Sequence, residues 1–517
     1  MDEGAQQERE PLSSQSGRNE KGRRRRRAFG AALGLTAVGS ILPGTGLFAA
    51  GLRKVGLTIL ALFVAAAGFA AYLVLADQRT ILHWVVRPGA LVVISVVLSA
   101  VALAWVCVIV ATYRSLRPRR LGRAQQAMGY GLVLVLAAGA VTPLAVGGRY
   151  ALVQKSLVEK VFASPQSKSA TRPVRASAAD PWAGKDRVNV LLLGGDGGPD
   201  RMGIRTDTVI VASIDTKTGN TVLFSLPRNL QNIPFPAGSP LAEVYPNGRF
   251  AGGPDADPLE WMLNAVYINV PRQHPGVLDS DNPGADATKL AASGAVGLTL
   301  DYYVMVNLKG FRQLVDALGG ITVDVNTRVS IGGETDRNLP PAGWIEPGPN
   351  QHLNGAMALW FARGRFGSDD WQRMLRQRCA IDAIVRQADP MRLLTRYEAL
   401  ARVTKDIVLT DIPQGVLPAF VDLSLKVKDA NITSIAFTNE IIDSGNPDYD
   451  LIHSRVQGAL RASEEGRTSA DIADSLKDAC AWKGAPTGTP APVPTTKPAP
   501  AKEPADKPAP ANQPGTR

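Results

Sequence analysis

Residues 188–196 read VNVLLLGGD, residues 205–215 read RTDTVIVASID and residues 221–228 read TVLFSLPR. The apolar runs Val188 to Leu193, Thr208 to Ile214 and Thr221 to Leu226 are short, rich in β-branched residues, and stop at glycine, aspartate or proline. That is the pattern of buried strands. Working outward, Tyr303 to Leu308 and Ile321 to Val325 read as two more strands. Between them Gly310 to Leu318 has helical spacing and stops at Gly319-Gly320. Asp370 to Gln387 is the clearest long helix. Strands mixed with helices predict a layered α/β domain with a central mixed sheet, whose strand order is not legible. Residues 231–300, rich in Pro, Gly and Asn, read as long loops around that sheet.

The chain has 517 residues and a formal charge of +11. Residues 1–148 hold 17 Lys/Arg against 6 Asp/Glu, and the remainder holds 40 against 40, so all the excess positive charge lies in the first part. A globular domain with balanced charge argues against nucleic-acid binding, and basic residues around apolar runs suggest membrane flanks. Val55 to Ala76, Ala90 to Thr112 and Gly129 to Gly147 are long enough, or nearly so, to cross a hydrocarbon layer of roughly 30 Å, and they carry no charge. Phe29 to Ala49 differs: it carries Pro43-Gly44 at its middle and basic residues on both sides, and reads as a re-entrant or interfacial hairpin, a fourth crossing being the alternative. With Arg114, Arg117, Arg119, Arg120 and Arg123 inside, three crossings put everything after Arg149 outside the cytoplasm. There Cys379 and Cys480 can form a bridge, two free thiols being the other possibility, while Cys107 lies within a span. The expected organisation is a basic cytoplasmic N-terminus (1–28), a membrane region (29–148), a stalk (149–187), a catalytic unit (188–390), a C-terminal part of the globular region (391–483) and a disordered Pro/Ala-rich tail (484–517).

Three groups of residues carry chemistry. Asp196 leaves a strand and Asp207 begins the next, so the connecting loop can bring two carboxylates to one point, as a Mg²⁺ site shared with substrate phosphates requires. Asp is equally at home in ordinary turns. The glycines of 194–198 are not followed by Gly-Lys-Ser/Thr, so no nucleotide cradle is indicated. Pro227 ends a strand and presents Arg228 at its edge. Last, Ala362-Arg363-Gly364-Arg365 precedes Asp370, Arg373, Arg376 and Gln377; Asp370, Arg373 and Gln377 share one helical face. Several guanidiniums converging on one point need an anion, and their fork matches phosphate oxygens.

With YYVMVNLKGFRQLVDALGGITVDV, LNGAMALWFARGR and DDWQRMLRQR added to the three opening motifs, the segment from about Val188 to Ala388 resembles the LytR-CpsA-Psr family of bacterial envelope proteins. The resemblance implies a glycopolymer transferase that takes a polyprenyl-pyrophosphate-linked sugar chain and joins it to peptidoglycan, usually on a muramic acid hydroxyl. Carried over by motif, Asp196 and Asp207 match carboxylates near Mg²⁺. Arg205, Arg228, Arg363, Arg365, Arg373 and Gln377 match head-group contacts, and Asp370 a carboxylate of the same site; Arg205, Arg363, Arg365 and Asp370 take the catalytic roles. Asn229 stands where the family commonly has Asp.

The implied chemistry is consistent with these residue types. Arginines and a divalent cation stabilise the charge that moves onto the bridging oxygen and the polyprenyl phosphate leaving group, and the pyrophosphate bond is already activated, so no nucleotide is needed. The expected partners are the lipid-linked glycopolymer, peptidoglycan and membrane lipid. No histidine lies in the motifs, which leaves Asp207 and Asp370 as candidates to deprotonate the acceptor hydroxyl. Leu192, Val211, Leu314 and Leu359 are either a lipid slot or ordinary core. Two other outcomes use the same arginines: a lipid-pyrophosphate pyrophosphatase with water as acceptor, and a non-catalytic lipid- or wall-binding regulator.

Overall fold

The computed structural model describes residues 12–196, 205–333, 339–388, 408–467 and 474–484. Its N-terminal part is helical: α1 (Leu12–Ile41), α2 (Thr45–Ala49), α3 (Arg53–Leu75), α4 (Gln78–Val85), α5 (Pro88–Leu116) and α6 (Arg123–Val161). Three of these, α3, α5 and α6, are long and apolar enough to cross a membrane. At 1.5 Å per residue even α3 reaches about 34 Å. The apolar stretch before them folds as helix, turn and short helix. Gly44 makes the turn at φ +100°, and a Cβ there would come within 2.2 Å of the Gly56 carbonyl oxygen on α3. Only glycine permits that approach.

The sheet is assembled from β1 (Arg187–Asp196), β2 (Arg205–Asp215), β3 (Thr221–Leu226), β6 (Tyr302–Asn307), β11 (Val408–Thr410), β12 (Ile432–Ala436) and β13 (Asp474–Ser475). Between β3 and β6 lie β4 (Ile233–Pro234), α7 (Pro240–Val244), β5 (Arg249–Phe250), α8 (Val266–Gln273) and α9 (Pro283–Val296). After β6 come α10 (Leu308–Leu318), β7 (Ile321–Val325), β8 (Val329–Ile331), β9 (Gly343–Ile345), β10 (Gly348–Leu353), α11 (Gly355–Arg363) and α12 (Asp370–Gln387). The order across the seven-stranded sheet is β11-β6-β1-β2-β3-β12-β13. It is mixed: β1 runs parallel to β6 and β3 to β12, and the other neighbours are antiparallel.

Strand residues alternate between two apolar layers, as the two-residue period requires. Leu191, Leu193, Val209, Val211, Val222 and Phe224 face α8, α9 and the helix Tyr449–Glu464. Val190, Ile210, Ala212 and Leu223 face the helix Leu417–Asp429. Val211 is wholly enclosed, so it is core rather than the wall of a lipid slot. A third cluster joins α10, α11 and α12 to β7 and β10.

Three expectations about organisation are corrected. The segment 149–187 is no free stalk: α6 runs to Val161, and the chain beyond is strapped to the domain. Buried Asp286 on α9 accepts hydrogen bonds from the Ser169 hydroxyl at 3.0 Å, the Ala170 amide at 2.8 Å and the Thr171 hydroxyl at 2.5 Å. Part of the segment's polar composition serves those bonds. Residues 231–300 are not simply loops either, because α9 is a 14-residue buried helix. Its Ala- and Gly-rich face lets it press on the sheet, with Gly294 against the Pro234 carbonyl. Nor does the catalytic unit end near 390, since β11, β12 and β13 complete the same sheet. The tail from 485 onward lies outside the described residues.

Contact between the helices and the domain is direct. Asp422 on the helix Leu417–Asp429 pairs with Arg79 at 2.6 Å and His83 at 2.8 Å on α4, and Val158 near the end of α6 joins the core of that face. The domain therefore sits at the end of the helices where α3 stops and α5 starts, opposite the arginine-rich α5–α6 connection.

Cys379 on α12 is bonded to Cys480, with Cα atoms 5.6 Å apart and a separation of 101 positions in sequence. Closing so long a loop removes denatured-state entropy, and opening it is expected to cost about 2–4 kcal/mol. The Cys379→Ala/Cys480→Ala variant should unfold at clearly lower temperature than the parent in a calorimetric scan, and an unchanged midpoint contradicts this.

Candidate active site

One edge of the sheet gathers the chemistry. β1, β3, β6 and β12 all end there and β2 begins there, because β1 and β6, like β3 and β12, are parallel while β2 runs against β1 and β3. Val209 pairs with Leu226, so the residues just outside that pair, Asp207 on one strand and Arg228 after the other, meet. Their side chains form an ion pair of 2.7 Å.

The remaining cations come from the α11–α12 connection. Asp369 caps α12 by accepting the Gln372 amide at 2.7 Å. On the first turn Asp370 pairs with Arg373 at 2.7 Å. The loop carrying Arg365 is held by Arg376, whose guanidinium donates to the Phe361 carbonyl at 2.7 Å and to the Gly364 carbonyl. Gly364 also packs on β8, where a Cβ would lie 2.7 Å from the Ser330 carbonyl oxygen. The i, i+3 spacing of Arg373 and Arg376 thus sends one arginine toward the cluster and the other to the loop that supplies its neighbour.

Electrostatics tie these groups into one cluster. Burial pushes the Asp207 carboxyl up, but Arg228 and then Arg365 and Arg373 outweigh it and hold the group below the usual carboxylate range. Arg365 is lowered to about 10, by burial first and then by Arg373 and Arg228, against the opposing pull of Asp207 and Asp370. Three guanidiniums therefore face two carboxylates in a partly dehydrated place. Arg373 is 3% exposed and its buried Nε has no hydrogen-bond partner. An anion with several acceptor oxygens would satisfy both the charge and that donor.

Two cavities flank Arg228. One, of about 440 Å³, is lined by Arg228, Asp370, Trp371, Thr438, Asn439 and Glu440 among others. The other, of about 250 Å³, is lined by Arg205, Asp207, Arg228, Leu259, Met262 and Asn264 among others.

Of the residues singled out in the sequence, Asp207, Arg228, Arg365, Asp370 and Arg373 are brought together. Arg205 shares the smaller cavity, but its guanidinium is held aside by Glu260 at 2.5 Å and the Leu259 carbonyl at 3.1 Å. Arg363 makes an aromatic contact that Arg365 does not share. It sits exposed at the last turn of α11, with its guanidinium 5.4 Å from the centre of the Trp360 ring, because a helix end followed by a turn sends residues two apart in different directions. Gln377 lies one turn beyond Arg373 and lines neither cavity. Asp196 pairs through its backbone with Arg205, and its side chain lies outside the described residues. Asn229 donates to the Ser444 hydroxyl at 2.9 Å. The sequence reading missed Glu260, Asn264 and the segment Phe437 to Glu440. The last follows a strand that had not been recognised, and Glu260 had no motif around it.

Among the described residues no three Asp, Glu, His or Cys side chains gather to enclose a metal. The donor set suits instead a hard cation that takes one or two carboxylates from protein and its other oxygens from phosphate and water. Asp207, ionised and at a cavity wall, is a suitable donor.

The LytR_cpsA_psr family model matches residues 152–461. The polyisoprenyl-teichoic acid–peptidoglycan teichoic acid transferase TagU of Halalkalibacterium halodurans is 25% identical over 287 residues, covering 54% of this chain and 80% of the relative. TagU of Bacillus cereus is 26% identical over 269 residues, covering 51% and 72%. Among solved structures, B. subtilis TagV aligns at a TM-score of 0.37 with 21% identity, covering 55% of this chain and 99% of that one.

Proposed function

This chain belongs to the LytR-CpsA-Psr family, and from that premise we propose that it transfers a glycopolymer from a polyprenyl-pyrophosphate carrier to peptidoglycan during cell-wall assembly. The observation that carries the reading is the meeting of Arg228, Arg365 and Arg373 around Asp207 and Asp370 at one sheet edge. The matched relatives named as teichoic acid transferases support it.

In this reading the three arginines hold the donor diphosphate. The acceptor hydroxyl attacks the sugar-bearing phosphorus, the bond from that phosphorus to the bridging oxygen breaks, and polyprenyl phosphate leaves. Charge grows on the bridging oxygen as this happens, and guanidiniums fixed beforehand stabilise it without reorganising. Arg376 keeps Arg365 in place, and Asp207 and Asp370 keep the cations apart when no donor is bound. We assign a Mg²⁺ or similar cation to Asp207, with Asp196 as the second candidate ligand; bound there, it would neutralise phosphate charge. Three spanning helices tether the domain to the membrane that holds the lipid donor.

We place the domain outside the cytoplasm. Five arginines, Arg114, Arg117, Arg119, Arg120 and Arg123, mark the opposite end of the helices, the Cys379–Cys480 bridge suits an oxidising compartment, and both follow from the same orientation. Full-length protein in lipid vesicles, given lipid-linked oligosaccharide and a peptidoglycan fragment, should yield a joined product and free polyprenyl phosphate. A reporter fused after Phe162 should be active only outside. Release of free phosphorylated sugar without joined product contradicts the transferase reading, and reporter activity in the cytoplasm contradicts the orientation.

A further inference from the structure

The two cavities beside Arg228 differ in charge, and the difference sorts the two substrates. Around the smaller one Arg205 and Arg228 outnumber Asp207, with Leu259 and Met262 as apolar walls. Around the larger one Arg228 faces Asp369, Asp370 and Glu440. A diphosphate is repelled by three carboxylates, whereas a neutral, hydroxyl-bearing sugar is not. The larger cavity also has what binds a sugar: a flat indole and polar groups with free hydrogen-bonding capacity. Trp371 is held from behind by Arg378, whose guanidinium lies 5.3 Å from the centre of the ring and is itself anchored to the Ser434 hydroxyl on β12 at 2.7 Å. Thr438 is 8% exposed, lines the cavity, and its hydroxyl makes no hydrogen bond among the described residues. An unpaired hydroxyl on a residue that lines the cavity is available to a ligand there.

The three carboxylates are not equivalent. Asp370 is tied to Arg373 and Asp369 to the first turn of α12. Glu440, exposed on the loop after β12, makes neither a hydrogen bond nor an ion pair among the described residues. A carboxylate without such ties is free to turn toward a hydroxyl in the cavity.

We propose that the cavity between the start of α12 and the loop after β12 receives the acceptor sugar, and that Glu440 takes the proton from its hydroxyl. This rests on the transferase reading above and takes Glu440 in place of Asp207 or Asp370 for that step. The hydroxyl oxygen forms a bond to the sugar-bearing phosphorus as its proton passes to the Glu440 carboxylate. The bond from phosphorus to the bridging oxygen breaks, and its electron pair leaves with polyprenyl phosphate.

Full-length Glu440→Gln in vesicles should turn over about 10²- to 10⁴-fold more slowly, the usual range for a lost general base, with unchanged affinity for lipid-linked oligosaccharide. Glu440→Asp should recover part of the rate, which a purely structural role for the side chain would not predict. The Thr438→Val/Asn439→Ala variant should raise the acceptor KM several-fold while its donor affinity stays at the parent value. Parental turnover in Glu440→Gln, or a parental acceptor KM in the double variant, overturns the assignment. Absence of joined product from the unmodified protein is a different result, and it removes the transferase reading itself.

Discussion

Replacing Arg365 with alanine is expected to lower transfer about 10³-fold or more while the protein remains folded. The size follows from the role. Removing one fixed donor to a developing oxyanion costs about 10²- to 10³-fold, and removing an arginine that neutralises a phosphoryl transition state costs about 10³- to 10⁵-fold. Arg365 contributes to no apolar cluster, and its pKa is lowered to about 10 by burial first and then by the neighbouring Arg373 and Arg228. Removing it relieves that repulsion, so the thermal midpoint should hold or rise slightly. Lysine should restore little, since it keeps the charge and loses the planar fork. Arg363→Ala is the internal comparison. Its guanidinium lies over Trp360, and its loss should change the rate by no more than a few-fold. Turnover measured on both variants with the same lipid-linked donor checks the pair, and equal losses would remove the distinction between them.

That contrast shows how far the sequence could be read. Periodicity found α12 with both of its ends, and the strands β1, β2 and β3 to within a few residues, because each buries a regular apolar face. Acids and arginines at strand and helix ends are visible one by one, and their combination with the family motifs pointed to Asp207, Arg228, Arg365, Asp370 and Arg373. It could not separate Arg363 from Arg365. Both stand in ARGR, and only the break between α11 and the following loop sends them apart. Nor could it see α9, whose alanines and glycines look like loop by composition yet fit closely against the sheet. Glu440 was out of reach for another reason: it follows β12, whose pairing with β3 spans some two hundred residues of sequence. A short strand of that kind is recognised by its partner rather than by its own residues.

Asp207 lies on the same sheet edge and answers to the opposite charge, so its loss should be read in both activity and stability. In Asp207→Asn the amide keeps the shape and removes the negative charge, leaving Arg228, Arg365 and Arg373 opposed by Asp370 alone. Transfer should fall about 10²-fold or more, as expected when the group that positions a phosphate-binding arginine is lost. Stability should fall too, by about 1–2 kcal/mol, less than the about 3–5 kcal/mol seen for fully buried pairs because Asp207 and Arg228 retain roughly a third of their exposure. The pH dependence has a definite sign. The folded carboxyl is held below the ordinary value, so its contribution is complete above the unfolded-state pKa and is lost as pH falls through the lowered folded value. The parent should therefore lose part of its thermal stability on acidification below about pH 4, the ordinary carboxylate range, and Asp207→Asn should lose less over the same interval. Inorganic pyrophosphate should raise the midpoint of the variant more than that of the parent, because the anion replaces the missing charge among the same three guanidiniums. Melting curves of both proteins across that pH range, with and without pyrophosphate, decide it. Parallel curves for the two proteins, unmoved by the anion, would mean that the arginines around Asp207 do not form a diphosphate site.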